Sequence, residues 1–290
     1  MQRGGFMTNK KRVTIPSILE KKNSGKKITA LTAYDYSFAR ILDASEIDIV
    51  LVGDSVGMVS LGYESTLPVT MEDMIHHTRA VKRAIHNPLL VGDMPFMSYQ
   101  ASNETAITNA GRLIQEGGAE AVKVEGGTCM IERVHAIIQA GISVMGHVGL
   151  TPQSVHQFGG YKIQGKTYLN ARKIKKDAKD LEKAGVFAIV LEGIPAELAH
   201  EITTEVQIPT IGIGAGPHCD GQILVLHDML GLNQDFTPKF VKHYAQVAEL
   251  AKSAVASYIN DVQTGAFPGE EHSYNSKHNP LRSVVHKDKG

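Results

Sequence analysis

Four acidic residues each stand at the end of a short apolar run of β character. Asp54 ends IVLVGD, Asp93 ends LLVGD, Glu125 follows AVKV and Glu192 follows AIVL. Lys123 lies two positions before Glu125, so the period-2 geometry of a strand turns both side chains to one face. The run between Glu125 and Glu192, ISVMGH, ends in His147 instead of an acid. Carboxylates gathered at one rim repel one another, and a divalent cation removes that repulsion. The donors on offer are oxygens with no cysteine cluster, which favours Mg²⁺ over Zn²⁺. Mg²⁺ takes one or two protein carboxylates and keeps several waters, so the remaining acids stay free. The chemistry this allows is metal-assisted enolisation: Mg²⁺ chelated by a 2-oxo acid polarises its carbonyl and acidifies the neighbouring C–H. Lys123 or His147 would hold the carboxylate or the developing oxyanion. Glu192, off the metal, would take the proton. Each residue also has a structural reading. Asp54 and Asp93 are possible helix N-caps, Lys123–Glu125 a buried ion pair, and His147 a satisfied rim histidine. The recurrence of strand-end acids, with a lysine and a histidine among them, weighs toward chemistry.

Such residues need strands to carry them. Eight strand-like runs are present: 28–34, 48–54, 88–93, 120–126, 142–147, 187–193, 209–214 and 222–228. Most are continuously apolar, as strands buried on both faces are. Helical patterns separate most of them. From Thr70 to about Ile85, a Thr70/Asp73 capping box precedes a stripe of Met71, Met74, Ile75, Val81 and Ile85. A second helix is expected over about 101–115, stopped by Gly117-Gly118. The last is expected from Thr237-Pro238, burying Phe240, Val241, Tyr244, Val247 and Ala251. This alternation predicts an α/β fold, a (β/α)8 TIM barrel, over an open doubly wound sheet. An extra N-terminal helix over 14–22 is expected to cover the barrel floor. The domain reading is an extension over 1–12, a barrel over 13–265 and a partly disordered tail over 266–290. Met7 is a second candidate start. In such folds the C-terminal strand ends carry the active site. Two long connections there, 55–69 and 148–170, are candidate lids or substrate walls. GIGAG (212–216) lacks the context of a dinucleotide fingerprint and is expected to be a tight turn.

The 290 residues are 42% hydrophobic, enough for a sizeable core. Thirty basic side chains balance thirty acidic ones, which gives no reason to expect a nucleic-acid or membrane-surface partner. Two cysteines, Cys129 and Cys219, fit a reducing, cytoplasmic compartment. No apolar run approaches the roughly 20 residues of a membrane span.

Ten segments carry a resemblance: LTAYDYSFA, LVGDSVGM, STLPVTMEDM, DMPFMSY, VKVEGG, GHVGLTPQSVHQFGGYKIQG, LEGIP, IGIGAG, DGQILVLHDMLG and FPGEEHSY. In this order, over about residues 13–274, the chain resembles the ketopantoate hydroxymethyltransferase family. The resemblance implies a (β/α)8 barrel, a homodecamer and a step of pantothenate and hence coenzyme A synthesis. It implies transfer of a one-carbon unit from 5,10-methylenetetrahydrofolate to 3-methyl-2-oxobutanoate, giving 2-dehydropantoate. It also implies roles by position. Asp54 and Asp93 match the family's Mg²⁺-binding aspartates, and Glu125 a further acid at that site. Asp54, Ser55, Asp93 and Lys123 match contacts to the oxo acid, and Glu192 the catalytic base. His147 lies in the GHVGLTPQ stretch and is expected to support the substrate. The folate site is expected in the 148–170 loop, with Phe158 and Tyr161. Two rivals are a carbon–carbon lyase or mutase of the phosphoenolpyruvate-using barrels and a non-catalytic barrel. The first would carry a reactive loop cysteine, and neither Cys129 nor Cys219 sits in such a motif.

Overall fold

The computed structural model describes residues 12–233 and 237–275. Eight parallel strands close into a barrel in sequence order, β1-β2-β3-β4-β5-β6-β7-β8, with β8 pairing back to β1. They are β1 Ile28–Thr32, β2 Ile49–Val52, β3 Leu89–Asp93, β4 Ala121–Glu125, β5 Val144–Gly149, β6 Ala188–Glu192, β7 Thr210–Ile213 and β8 Gly221–Leu224. The TIM barrel is as expected.

The continuous apolar runs come from two cores, one on each side of the strands. Residues such as Ile49, Leu51, Leu89, Val91, Ala121 and Met145 fill the barrel. Their alternates, such as Val50, Val52, Leu90, Val122 and Val124, pack outward under the helices. Helix Ile15–Asn23 starts at a Thr14/Ser17 capping box and sends Ile18, fully buried, into the inner core. It closes the floor as the sequence predicts. Helix Met71–Lys82 has the expected Thr70/Asp73 capping box and apolar stripe. Helix Asn103–Arg112 widens into a π turn, Leu113–Gly117, and stops at left-handed Gly118.

Two expectations, the end of the eighth strand and the start of the last helix, need correction. The eighth strand ends at Leu224 and not at 228, because Leu226–Met229 turns into a short helix whose Leu226 N–H donates to Thr32 Oγ1. Among the described residues no helix separates β7 from β8. Gly221 pairs with Ile211, so β8 starts level with the body of β7 and seven residues, 214–220, bridge the gap. Asp220 fastens this turn by accepting the Thr210 N–H at 2.8 Å. The last helix runs Val247–Thr264, and does not start at Pro238. The 237–246 stretch lies along the preceding turn, with Tyr244 N–H donating to Met229 O and Val247 N–H to Leu230 O. No residue of that helix is buried. Leu250, Val255, Tyr258 and Ile259 are exposed along it.

Among the described residues no helix is long and apolar enough to cross a membrane. Residues 1–11 and 276–290, with most of the expected extension and tail, lie outside the described residues.

Candidate active site

Inward parity and strand ending select the site. Counting along the inner face, β3 ends Leu89, Val91, Asp93; β4 ends Ala121, Lys123, Glu125; β6 ends Ala188, Val190, Glu192. His147 follows Met145 on β5 in the same parity. Register then sets neighbours: Asp93 stands beside Lys123, and Glu125 beside His147. Asp54 lies two residues past β2 on the adjoining turn.

Opposite charges meet across these strands. Lys123 Nζ donates to both Asp93 oxygens, each at 2.7 Å, and lies 3.7 Å from Glu125 Oε1. His147 bridges two acids: Nδ1 is 3.4 Å from Glu125 Oε1 and Nε2 is 3.3 Å from Glu192 Oε2. Both contacts have ion-pair reach without the alignment of a hydrogen bond. The Asp54 main-chain N–H donates to Asp93 Oδ2 at 3.3 Å. Ser55 Oγ and Tyr34 Oη are 2.8 Å apart. Asp54, Asp93, Lys123, Glu125 and His147 are all buried, whereas the Glu192 side chain is 16% exposed. Glu192 is thus the acid open to the barrel mouth.

Burial of so many charges shifts their protonation. Burial raises the Asp54 carboxyl well above its ordinary range, and the Asp93 and Glu125 charges add to this. Burial also raises Asp93, with Lys123 only partly offsetting it. Glu125 goes the other way: burial opposes its charge, but His147 and Lys123 outweigh that and hold it low. Burial and Lys123 push His147 down, yet Glu125 and Glu192 more than compensate and bring it up to about 9. Lys123 is raised against its own burial by Asp93, Glu125 and Asp54. The cluster therefore relieves its excess negative charge by keeping a proton on Asp54, which forms no ion pair among the described residues.

A divalent cation answers that imbalance. The donors at hand are hard carboxylate oxygens, and buried Glu125 Oε1 has no hydrogen-bond partner. Among the described residues no three His, Cys, Asp or Glu form a ready ligand group. Two carboxylates plus water suffice for Mg²⁺, and Asp54 with Asp93, whose oxygens are shared with Lys123, is the pair that would hold it.

Three further side chains lie in the site and went unassigned in the sequence. Gln153 Nε2 donates to Asp54 Oδ2 and to Met94 O, each at 2.9 Å. Its main-chain N–H donates to Glu125 Oε2 at 3.0 Å. Tyr99 Oη lies 2.8 Å from Gln153 Oε1 and accepts the Glu125 N–H at 3.2 Å. Tyr34 backs Ser55. All three occur in the segments LTAY, DMPFMSY and GLTPQ, polar residues two to six positions past a strand; that was the available signal. The two long connections meet over the mouth, where Tyr161 Oη donates to Met58 Sδ at 3.3 Å. The acids Asp54, Glu192 and Glu125 act on the Tyr161 hydroxyl, after burial, to raise its pKa. Cys129 is exposed and Cys219 buried, neither at the acid cluster.

Fold and site together define a (β/α)8-barrel enzyme centred on buried carboxylates at its C-terminal rim. Relatives sharpen this. The chain matches the ketopantoate hydroxymethyltransferase family over residues 12–270. It is 60% identical over 263 residues to the 3-methyl-2-oxobutanoate hydroxymethyltransferase of Thermoanaerobacter sp. (strain X514), covering 91% of this chain and 96% of the relative. It is 56% identical over 266 residues to the protein of that name from Geobacter metallireducens, covering 92% and 99%. This chain belongs to the ketopantoate hydroxymethyltransferase family. Solved structures of similar shape include phosphonopyruvate hydrolase complexed with oxalate and Mg²⁺, at TM-score 0.60 and 13% identity, covering 90% of this chain and 93% of that one. A 2,3-dimethylmalate lyase aligns at TM-score 0.56 and 16% identity, covering 92% of each. Those two share the fold.

Proposed function

We propose that this hydroxymethyltransferase moves a one-carbon unit from 5,10-methylenetetrahydrofolate to C3 of 3-methyl-2-oxobutanoate, giving 2-dehydropantoate and tetrahydrofolate with uptake of one water. This is a step of pantothenate synthesis. The observation that carries the reading is the buried acid set, with Asp54 short of a countercharge, beside an accessible glutamate.

Asp54 and Asp93 would hold Mg²⁺, with Glu125 completing the acid set. Bound there, Mg²⁺ supplies a Lewis acid that polarises the keto group and makes the C3 hydrogen acidic. Lys123 places its ammonium beside Asp93, where it faces the carboxylate of the oxo acid. Ser55, backed by Tyr34, offers a hydroxyl to the same substrate. Glu192 takes the C3 proton as base. His147, held cationic between Glu125 and Glu192, orients that base. C3 then bonds to the folate-derived methylene carbon, whose two C–N bonds to the folate break as water supplies the hydroxyl oxygen and the C3 proton and one water proton end on the folate nitrogens. The 148–170 loop, with Phe158 and Tyr161, forms the folate side of the mouth. The exposed apolar residues of helix Val247–Thr264 support a homo-oligomer, a decamer by family resemblance, and sedimentation of the purified protein tests it; the cytoplasm is the compartment that the cysteine usage supports.

The direct test is product formation by purified protein. 2-Dehydropantoate is expected only when Mg²⁺ and 5,10-methylenetetrahydrofolate are both supplied. Turnover without the folate would overturn the reading.

A further inference from the structure

Gln153 stands on the single turn Pro152–Ser154 that follows β5, far in sequence from the acids it meets. Its side chain is buried, and every hydrogen-bonding position on it is used. The two amide protons go to Asp54 Oδ2 and Met94 O. The amide oxygen faces Gln100 Nε2 at 3.1 Å and Tyr99 Oη at 2.8 Å. A carbonyl such as Met94 O only accepts, so the amide has one orientation: Nε2 faces Met94 and, with it, Asp54. The main-chain N–H of the same residue holds Glu125 Oε2. One residue thus grips an acid from the β2 end and an acid from the β4 end. It also anchors the start of the connection whose Tyr161 reaches Met58 across the mouth.

We infer that Gln153 is a positioning residue for the metal pair: it commits Asp54 Oδ2 to its amide, leaves Oδ1 for the cation, and ties that arrangement to the 150–167 connection. This rests on the Mg²⁺ reading above. Partners that orient ligating carboxylates typically contribute about 10–100-fold to metal affinity. Tyr99 fixes Gln153 from behind, so the two act as one unit.

The test is calorimetric titration of Mg²⁺ alone into the full chain, without substrates. Gln153→Met keeps the length and removes the polar atoms. It is expected to weaken Mg²⁺ binding by about 10–100-fold. Tyr99→Phe keeps the ring and is expected to weaken it by a smaller factor. The double variant is expected to be no worse than Gln153→Met, because neighbours in one network are not additive. A merely structural role would lower the melting temperature in EDTA and leave Mg²⁺ affinity unchanged. Wild-type affinity in folded Gln153→Met would overturn the inference while the metal reading stands. If Gln153→Met does not fold, the Tyr99→Phe titration decides: unchanged affinity there overturns it. Absence of Mg²⁺ binding by the wild-type chain overturns the metal reading itself, and this inference with it.

Discussion

His147 Nε2 lies 3.3 Å from Glu192 Oε2, so the buried imidazole supports the one acid that opens to the mouth. The other ring nitrogen faces Glu125. Between two acids the ring stays protonated up to about pH 9, against an ordinary value of 6.5. A raised folded-state pKa on a basic group gives stability that is complete below about pH 6.5 and lost as pH rises through about 9. Melting temperatures of the metal-free protein are expected to fall across that window, and those of His147→Gln to fall less. Parallel curves would mean that the ring is neutral.

Glu192→Gln removes the proposed base and keeps its shape. Deuterium exchange at C3 of 3-methyl-2-oxobutanoate, with Mg²⁺ present, is expected to slow by about 10²–10⁴-fold. Exchange at the wild-type rate would remove Glu192 from that role.

Asp54 and Asp93 are close neighbours with opposite needs. Asp54 lacks a cation, so Asp54→Asn is expected to raise the melting temperature of the metal-free protein while abolishing its stabilisation by Mg²⁺. Asp93→Asn leaves Lys123 buried without its main partner and is expected to cost about 3–5 kcal/mol. Denaturant titration with EDTA or Mg²⁺ separates the two; equal effects would contradict the division.

The raised pKa of Asp54 also has a sign. An acid protonated in the folded state up to a higher pH than in the unfolded chain loses stability as pH rises from about 4 through its folded value. At the proposed site Mg²⁺ would take the place of that proton, so the Mg²⁺-induced rise in melting temperature is expected to grow with pH. A shift independent of pH would place the uptake elsewhere.

Gly149 ends β5 with φ +100°, and a Cβ there would stand 2.2 Å from the main-chain oxygen of Glu192. Gly149→Ala is expected to displace the end of β6, costing about 1–3 kcal/mol of stability and lowering kcat more than it raises KM. Unchanged kcat would show that Glu192 tolerates the shift.

Strand parity made much of the site legible before any coordinates. Lys123 and Glu125 had to share a face, and Asp93, His147 and Glu192 were legible as strand-end residues; which face each took was not, because the strands are apolar on both sides. Register was not legible, because the stagger between neighbouring strands depends on closing the barrel; it alone pairs Asp93 with Lys123 and Glu125 with His147. Gln153 lay hidden because a residue beyond a strand has no fixed direction until its turn folds. The Thr237-Pro238 signal failed for a similar reason. Local helix-start chemistry lost to main-chain bonds with Met229 and Leu230.

The order of the acids along the barrel has an evolutionary consequence. Asp54, Asp93, Lys123, Glu125 and Gln153 all arrive by the turn after β5, whereas the proposed base comes alone on β6. The proposed cation site and the proton-transfer group therefore arrive on different strands and are joined through His147 on β5. Exchange of the β6 unit would remove the base, which is also one of the two acids that flank His147, and the change would reach Glu125 through that ring.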